Sequence, residues 1–235
     1  MFYLASEIVK LNLQATDGEL GKVKDIYFDD QHWTVRYFVV DSNKWLPGKK
    51  VLLSPISFDY VDMGNETVSV LASKETVKNA PNQHEHEPVS KQVEMDLTNY
   101  YGWPPYWSGY GGTLPWGGYG NPLTLLETYD PNARHDDFTL ENREDYHLRS
   151  AKEIQGDLFG YTVETENGEI GYVSDLVIDE SSWKVSYLVI DTKKKLLDSN
   201  FRFLPIENIK EISWQDRKIV IDPNVTEQQI NQVSI

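Results

Sequence analysis

The fold is decided by the stretch Asp17-Gly18-Glu19-Leu20-Gly21, because it returns 150 residues later as Asn167-Gly168-Glu169-Ile170-Gly171. The same offset then continues without a gap through Asp25/Asp175, Asp29/Asp179, Trp33/Trp183, Tyr37/Tyr187, Val39/Val189 and Asp41/Asp191, and it holds again at Pro55/Pro205. Similar composition alone would not keep one register over that length. The pattern therefore indicates an internal duplication.

Each copy has the sequence pattern of a small all-β domain. Asp17-Gly18 and Asn167-Gly168 lie between apolar runs, and such dipeptides are typical of hairpins because the central residues of a type I′ turn need positive φ. Residues 35–40 and 185–190 are rich in β-branched and aromatic side chains, which favours strands. Further short strands are predicted over residues 51–54, 67–71 and 218–221, and short helices over residues 74–79 and 226–232.

Several short strands in so little chain favour a closed sheet, since closure removes the exposed edges that an open sheet would leave. The sequence predicts two small β-barrels, over residues 1–80 and 148–235, joined by a linker over residues 81–147. Gly21 and Gly171 occupy matching places in the second strand, where we expect a kink or bulge.

The repeated pattern resembles the PRC-barrel domain. It consists of Asp-Gly-Glu-Leu-Gly-x-Val-x-Asp, a Trp, Val-Arg-Tyr-Phe-Val-Val-Asp and a later Ser-Pro-Ile. This family is named for the cytoplasmic domain of the photosynthetic reaction-centre H subunit. The resemblance covers two tandem copies, and the second has extra residues around Asp157-Leu158-Phe159-Gly160 that predict a longer first strand or leading loop. It implies a PRC-type barrel that holds other macromolecules, and it implies no chemistry.

Charge and composition exclude several classes of function. The formal charge of −15 and the pI near 4.7 argue against a nucleic-acid partner, which clustered Lys and Arg would have to neutralise. There is no cysteine, so thiolate sites are excluded. No long apolar run predicts a transmembrane helix, and the first residues do not have the pattern of a signal peptide. We therefore expect a cytoplasmic protein.

The linker is the most acidic part of the chain, with 3 basic and 11 acidic residues and a charge of −8. It is also rich in aromatic residues, Gly and Pro, which predicts an irregular but ordered segment. Its rings either pack back on a barrel, contact a partner protein or insert at a membrane interface. The candidate contact residues are Tyr100, Tyr101, Trp103, Tyr106, Trp107 and Trp116. A symmetric homodimer with the linker at its centre is a further hypothesis.

Candidate chemistry is sparse. His84 and His86, in the sequence His84-Glu85-His86-Glu87, are weak metal candidates, because a structural site normally needs four ligands. A solvated acidic tether is the favoured interpretation. Asp25 and Asp175 recur in both copies, which indicates structural roles at turns and strand ends. Lys193-Lys194-Lys195 is interpreted as a solvated loop, with contact to an acidic partner as the alternative. We predict no catalytic residue, no cofactor and no enzyme activity.

Two hypotheses for function remain. The first is a scaffold or adaptor that docks on a protein complex. The resemblance to the H subunit of photosynthesis suggests a membrane-associated electron-transfer assembly as that complex, and a stress-related assembly is the other possibility. The alternative is a small-molecule or metal-binding protein that uses the linker rings or the segment from His84 to Glu87. Trp33 and Trp183 are predicted to pack over barrel ends rather than to contact a ligand.

Overall fold

The computed structural model describes residues 1–42, 44–81, 89–107, 116, 118–128, 148–192 and 201–222. The first copy contains β1 (Phe2–Leu4), α1 (Ala5–Ile8), β2 (Asn12–Ala15), β3 (Gly18–Asp29), β4 (Val35–Asp41), β5 (Val51–Leu53), β6 (Phe58–Asp62), β7 (Thr67–Val70) and α2 (Lys74–Asn79). The linker contains α3 (Lys91–Tyr101) and α4 (Pro122–Thr128). The second copy contains β8 (Leu148–Ser150), α5 (Ala151–Gln155), β9 (Thr162–Thr165), β10 (Gly168–Asp179), β11 (Lys184–Asp191), β12 (Phe201–Pro205), β13 (Ile209–Ser213) and β14 (Lys218–Ile221).

The two copies form matching sheets, with strand orders β5-β4-β3-β2-β7-β6 and β12-β11-β10-β9-β14-β13. The first and last strands of each order are consecutive in the chain, and one short 3-10 turn joins them, at Pro55–Ser57 and at Ile206–Asn208. That connection brings the ends of each twisted sheet together. The predicted pair of small PRC-type barrels, with short helices, is confirmed.

Each sheet also receives a strand from the other copy. β1 pairs with β10 of the second copy, with Tyr3 opposite Ile178, and β8 pairs with β3 of the first, with Arg149 opposite Phe28. The exchange is reciprocal, so each sheet contains seven strands. The boundary of a sequence repeat is therefore not the boundary of a sheet, which the repeat pattern alone did not reveal.

A symmetric contact joins the two halves at the β3–β4 and β10–β11 turns. The amide of Val35 donates to the carbonyl of Trp183 (2.8 Å), and the amide of Val185 donates to the carbonyl of Trp33 (2.6 Å). Both tryptophans have φ of 56°, a left-handed conformation that bulky residues rarely adopt. This backbone conformation is fixed by hydrogen bonds on both sides, since each Trp amide also donates to the carbonyl of Asp29 or Asp179.

The indole rings pack across the same interface. Trp33 stacks on Phe28 with ring centroids 5.2 Å apart and lies 6.4 Å from Trp214 of the second copy. Trp183 makes edge contacts with Phe38 and Phe58 of the first copy, at 5.3 and 5.7 Å. Both rings are buried. Packing at a barrel end is what the sequence predicts, but the contact is with the opposite barrel as well.

The hairpin turns need one correction. The two loop residues are Thr16-Asp17 in the first copy and Glu166-Asn167 in the second, and the glycines begin the following strands. Neither Asp17 nor Asn167 has positive φ, so the Asp-Gly and Asn-Gly pairs are not the central residues of type I′ turns. The hairpins are nevertheless equivalent, as the repeat predicts.

Gly21 and Gly171 lie next to β-bulges, as expected. The strand register shifts between Leu13 and Gln14 in the first copy and between Glu169 and Gly171 in the second. A Cβ at Gly21 would overlap the carbonyl oxygen of Asp41, and a Cβ at Gly171 would overlap that of Asp191. The close approach of two backbones is therefore the reason for glycine here.

The apparent match of Pro55 with Pro205 is not structural. Phe38 pairs with Leu53, whereas its equivalent Leu188 pairs with Leu204, so the offset is 151 residues from β5 and β12 onward. Pro205 therefore corresponds to Ser54. The other predicted strands and α2 are confirmed within one residue, and the helix predicted at 226–232 lies outside the described residues. The predicted long leading loop is present between α5 and β9 and contains Leu158 and Phe159.

The linker is less irregular than its composition predicts, because it contains α3 and α4. Ser90 caps α3 by accepting a hydrogen bond from the amide of Val93, and Gly102 ends it in a left-handed conformation with φ of 68°. Buried apolar residues of both copies and of the linker form one continuous core. None of the helices described has the length and apolar character needed to cross a membrane.

Candidate functional site: two equivalent sheet faces

The outer face of each sheet follows from strand alternation. In β4, Phe38 and Val40 are turned toward the barrel core, so Tyr37, Val39 and Asp41 lie on the outer face. The neighbouring β5 adds Leu52 to this face. We call this set, together with Arg36, the first-copy face.

The linker covers the first-copy face. The carboxylate of Glu94 in α3 is 1% exposed and accepts hydrogen bonds from the hydroxyls of Tyr37 (3.1 Å) and Tyr106 (2.6 Å). Lys91 forms an ion pair with the same carboxylate at 3.3 Å. Leu97 and Tyr101 of α3 line a narrow crevice together with Leu52. The buried carboxylate thus has the donors that it needs to remain stable away from water.

Arg36 extends the cover over the end of β4. Its Nε donates to Asp29 at 2.8 Å, and its guanidinium lies 3.7 Å from the ring centroid of Tyr106 and 4.8 Å from that of Trp116. The indole Nε1 of Trp116 in turn donates to the carbonyl of Ser182 in the second copy (2.8 Å). A buried cation this close to two aromatic rings makes a favourable desolvated contact. The linker segment is therefore attached to both copies.

Asp29 is fully buried under this cover. Burial by itself would raise the pKa of its carboxyl group. The charge of Arg36 and hydrogen bonds from His32 more than compensate, and they lower the pKa to about 2. The ion pair consequently remains charged throughout the neutral range.

The predicted contact residues differ in accessibility. Trp103, Tyr106, Trp107 and Trp116 are buried within the chain. Tyr101 is half-buried and stacks on Trp103 at 4.2 Å, and Tyr100 is 40% exposed with its hydroxyl donating to the carbonyl of Thr76. Contact of these six residues with a partner stays a prediction, and of the six only Tyr100 is classed as exposed.

The equivalent face of the second copy carries different side chains. Tyr187, Val189 and Asp191 of β11 match Tyr37, Val39 and Asp41, while Phe203 and Phe201 of β12 stand in the places of Leu52 and Lys50. Phe201 is 53% exposed. Tyr172 of β10 lies opposite Asp191, on the same outer face.

The long leading loop extends this apolar surface. Phe159 contacts the ring of Tyr172, with centroids 5.2 Å apart, and it is 60% exposed beside the more exposed Leu158. At the other edge of the sheet, the exposed ring of Phe2 packs against Tyr187. We call this set the second-copy face: Phe2, Leu158, Phe159, Tyr172, Tyr187, Phe201 and Phe203.

The sequence prediction did not include this face. The alternation of Phe201 and Phe203 along one strand is the sequence feature that points to an apolar face. The offset of the repeat changes by one residue before this strand, so the sequence alone does not show that Phe201 and Phe203 replace Lys50 and Leu52. In the sequence, Leu158 and Phe159 are recognisable only as part of an insertion, and their exposure is not predicted.

The repeated aspartates have structural roles across the exchanged strands. Asp25 accepts hydrogen bonds from the hydroxyl of Ser150 (2.6 Å) and the amide of Lys152 (3.2 Å), at the start of α5. Asp175 accepts a hydrogen bond from the backbone amide of Ser6 in α1 (3.1 Å). Each aspartate also accepts a hydrogen bond from the amide of the next residue, Ile26 (2.7 Å) or Leu176 (2.8 Å), as expected of a structural role. The contact with the helix that follows the strand donated by the other copy was not expected.

Metal binding is not supported by the described part of the chain, in which no three His, Asp or Glu residues are placed to hold an ion. His84 and His86 lie outside the described residues, as does Lys193-Lys194-Lys195. The metal hypothesis for that segment stays a prediction.

Comparison with known families agrees with the repeat. A family model described as the PRC-barrel domain matches residues 1–77 and residues 155–228. The two matched ranges cover most of the chain and leave out the linker together with β8. No curated protein matches the chain.

Proposed function

Because the chain belongs to the PRC-barrel domain family, with one copy in each half, we propose that it is a non-enzymatic adaptor that docks on another protein through the second-copy face. One observation carries the proposal. Of two equivalent sheet faces, the first is covered around Arg36, Tyr37 and Leu52 by the chain's own linker, and the second presents exposed aromatic side chains.

The exposure of the second-copy face has a physical cost. Phe201, Phe159 and Leu158 are each more than half exposed, and apolar side chains exposed together on one face are a mark of interaction sites in proteins that remain folded in water. Aromatic side chains also dominate the binding energy of interfaces. A partner that covers these rings would gain the free energy of their burial.

The first-copy face suggests the chemistry of the partner. There the occupant is a segment with a short helix, apolar residues such as Leu97 and the rings of Tyr106 and Trp116. A partner segment with the same character, an amphipathic helix followed by aromatic residues, fits the second-copy face best. Recognition of a helix in a groove by spaced apolar side chains is a common mode of peptide binding.

The wider context is also part of the proposal. The resemblance to the reaction-centre H subunit favours a membrane-associated electron-transfer assembly as the complex, and a stress-related assembly is the alternative. A cytoplasmic location is proposed with it. In this proposal the aromatic rings of the linker stabilise the first copy by packing against it, and Tyr100 remains accessible to solvent.

The test uses a photo-crosslinking phenylalanine analogue at position 201 and, as control, at position 60, where Tyr60 is similarly exposed in the first copy (53% and 56%). After irradiation in native lysate, we expect position 201 and not position 60 to yield one defined protein adduct. A double variant, Phe159→Ser with Phe201→Ser, should reduce recovery of that protein at least tenfold. The matched variant Tyr60→Ser with Leu71→Ser should leave recovery within twofold.

Circular dichroism and thermal unfolding of both double variants serve to show that the fold is unchanged. Equal recovery of the crosslinked protein by the two double variants would contradict docking through this face. An adduct between two copies of the chain would identify a homodimer interface instead and would also contradict the adaptor proposal.

A further inference from the structure

We propose that the first copy contains a binding site for a phosphate group, in a cavity next to the outer edge of β3 and β4. The cavity has a volume of about 90 Å³. The residues that line it include Lys24, Lys49, Lys50 and Lys152, together with Asp25 and Asp41. We call it the lysine cavity, and it is independent of the docking proposal because none of its lining residues belongs to the second-copy face.

The charge of the lysine cavity opposes that of the whole protein. Four lysines and two aspartates line it, which gives +2 at neutral pH, in a chain whose formal charge is −15. A local excess of lysine in so acidic a protein is not explained by solubility, to which acidic residues contribute. An excess of two positive charges matches the dianionic form of a phosphate group.

Two of the lysines are held in place. Lys49 donates to the carbonyls of Lys78 (2.8 Å) and Ala80 (2.6 Å), at the end of α2. Lys50 is 8% exposed, and its Nζ lies 5.6 Å from the ring centroid of Tyr27. Ordering these long side chains in the folded protein reduces the entropy cost of binding an anion.

Lys24 and Lys152 complete the cavity from the exposed side. Lys24 is an exposed residue of β3, and Lys152 is an exposed residue of α5 whose backbone amide donates to Asp25. Lys152 therefore reaches the cavity only because β8 and α5 are exchanged onto the first sheet. The site depends on both halves of the chain.

The second copy provides an internal comparison. It keeps both carboxylates, as Asp175 and Asp191, but Ser174 stands in the place of Lys24, Phe201 in the place of Lys50 and Ser6 in the place of Lys152. The framework is thus preserved and three lysines are specific to the first copy. A purely structural need for these lysines would be expected in both copies.

The size of the cavity limits the ligand. At about 90 Å³ the cavity is well below the roughly 300 Å³ at which pockets for small organic molecules begin, which suits one phosphate group rather than a nucleotide. Lysine binds phosphate as a point charge and does not need the paired geometry of arginine. The ligand class is inorganic phosphate or the terminal phosphate of a small monoester.

The experiment is calorimetric titration of the full chain with inorganic phosphate at constant ionic strength, with chloride as the reference anion. We expect saturable binding with one site per chain. A Lys24→Gln and Lys152→Gln double variant, at two exposed positions, should weaken binding at least tenfold. The control Lys10→Gln and Lys184→Gln, which removes the same charge at exposed positions outside the cavity, should stay within twofold.

Two further measurements distinguish a soluble phosphate compound from a lipid headgroup as the source of the phosphate. Glycerol phosphate in solution should bind like inorganic phosphate, whereas sedimentation with phosphatidic acid vesicles should not retain the protein. The proposal is overturned by absence of saturable phosphate binding, by equal weakening in both double variants, or by binding to the vesicles alone. Thermal unfolding without ligand checks that both variants are folded, and nuclear magnetic resonance shifts should map to residues 24–27, 39–42 and 49–50.

Discussion

Replacement of Trp183 by Ala tests whether the two barrels are packed as one unit. The indole is 5% exposed and contacts Phe38 and Phe58, both of which belong to the other copy. Truncation of a fully buried Trp typically costs about 3 to 5 kcal/mol, because the lost burial is compounded by the cavity that remains. The two edge contacts with aromatic rings place the expected loss at the upper end of that range.

The backbone contribution should not change this expectation. The amide and carbonyl of residue 183 keep their partners in the variant, Asp179 and Val35, and alanine tolerates positive φ no better than tryptophan. The loss therefore reports on the side chain. Since the ring joins one copy to the other, unfolding should remain a single transition with a lower midpoint.

Urea unfolding followed by far-ultraviolet circular dichroism measures the difference in free energy of unfolding. Tyr60→Ala, at an aromatic residue that is 56% exposed, is the control and should change stability by less than about 0.5 kcal/mol. A loss below about 0.5 kcal/mol for Trp183→Ala would place the ring in solvent. Two separate transitions in the variant would show that the copies unfold independently, against the packing described above.

Two further predictions concern single residues. The carboxyl group of Asp29 has a pKa of about 2 in the folded protein and 3.8 as its ordinary value, so its contribution to stability is present above pH 3.8 and is lost as the pH falls. Between pH 4 and 2 the free energy of unfolding should fall by about 2 kcal/mol more than in Asp29→Asn, and equal pH profiles in urea titrations would contradict the buried ion pair. Gly21→Ala should destabilise the protein by more than about 2 kcal/mol, because the added Cβ overlaps the carbonyl of Asp41. Gly120→Ala, where no atom lies within 4 Å, should change the thermal midpoint little, and similar losses for both variants would rule out the steric explanation.

The repeat made the architecture of each copy predictable. Runs rich in β-branched and aromatic residues identify β4 and β11, and the bulge glycines Gly21 and Gly171 follow from their matching places. Strand exchange was not predictable, because residues 2–4 and 148–150 would pair equally well with either copy on local pattern alone. The helix α3 was missed since its apolar positions are few and its stability comes from packing against the first-copy face.

The candidate sites were less predictable than the fold. No sequence motif marks Glu94 or Arg36 as a residue of a site. Their role comes from burial beside Tyr106, which depends on where the linker folds back. The lysine cavity assembles residues from four parts of the chain, 24–27, 39–42, 49–50 and 152. Side chains that far apart in sequence are brought together only by tertiary structure.

The strand exchange gives a physical reason for one chain with two copies. Each barrel needs a strand from its counterpart, β1 for the second and β8 for the first, so a single copy would have to obtain that strand from another molecule. Joining the copies makes the exchange intramolecular and therefore independent of concentration. It also allows equivalent positions to differ, which identical subunits cannot do. Lys50 and Phe201 occupy the same place in the two barrels, one buried in the lysine cavity and the other exposed on the second-copy face. Duplication thus permits the two barrels to carry the two different sites proposed above, one for an anion and one for docking.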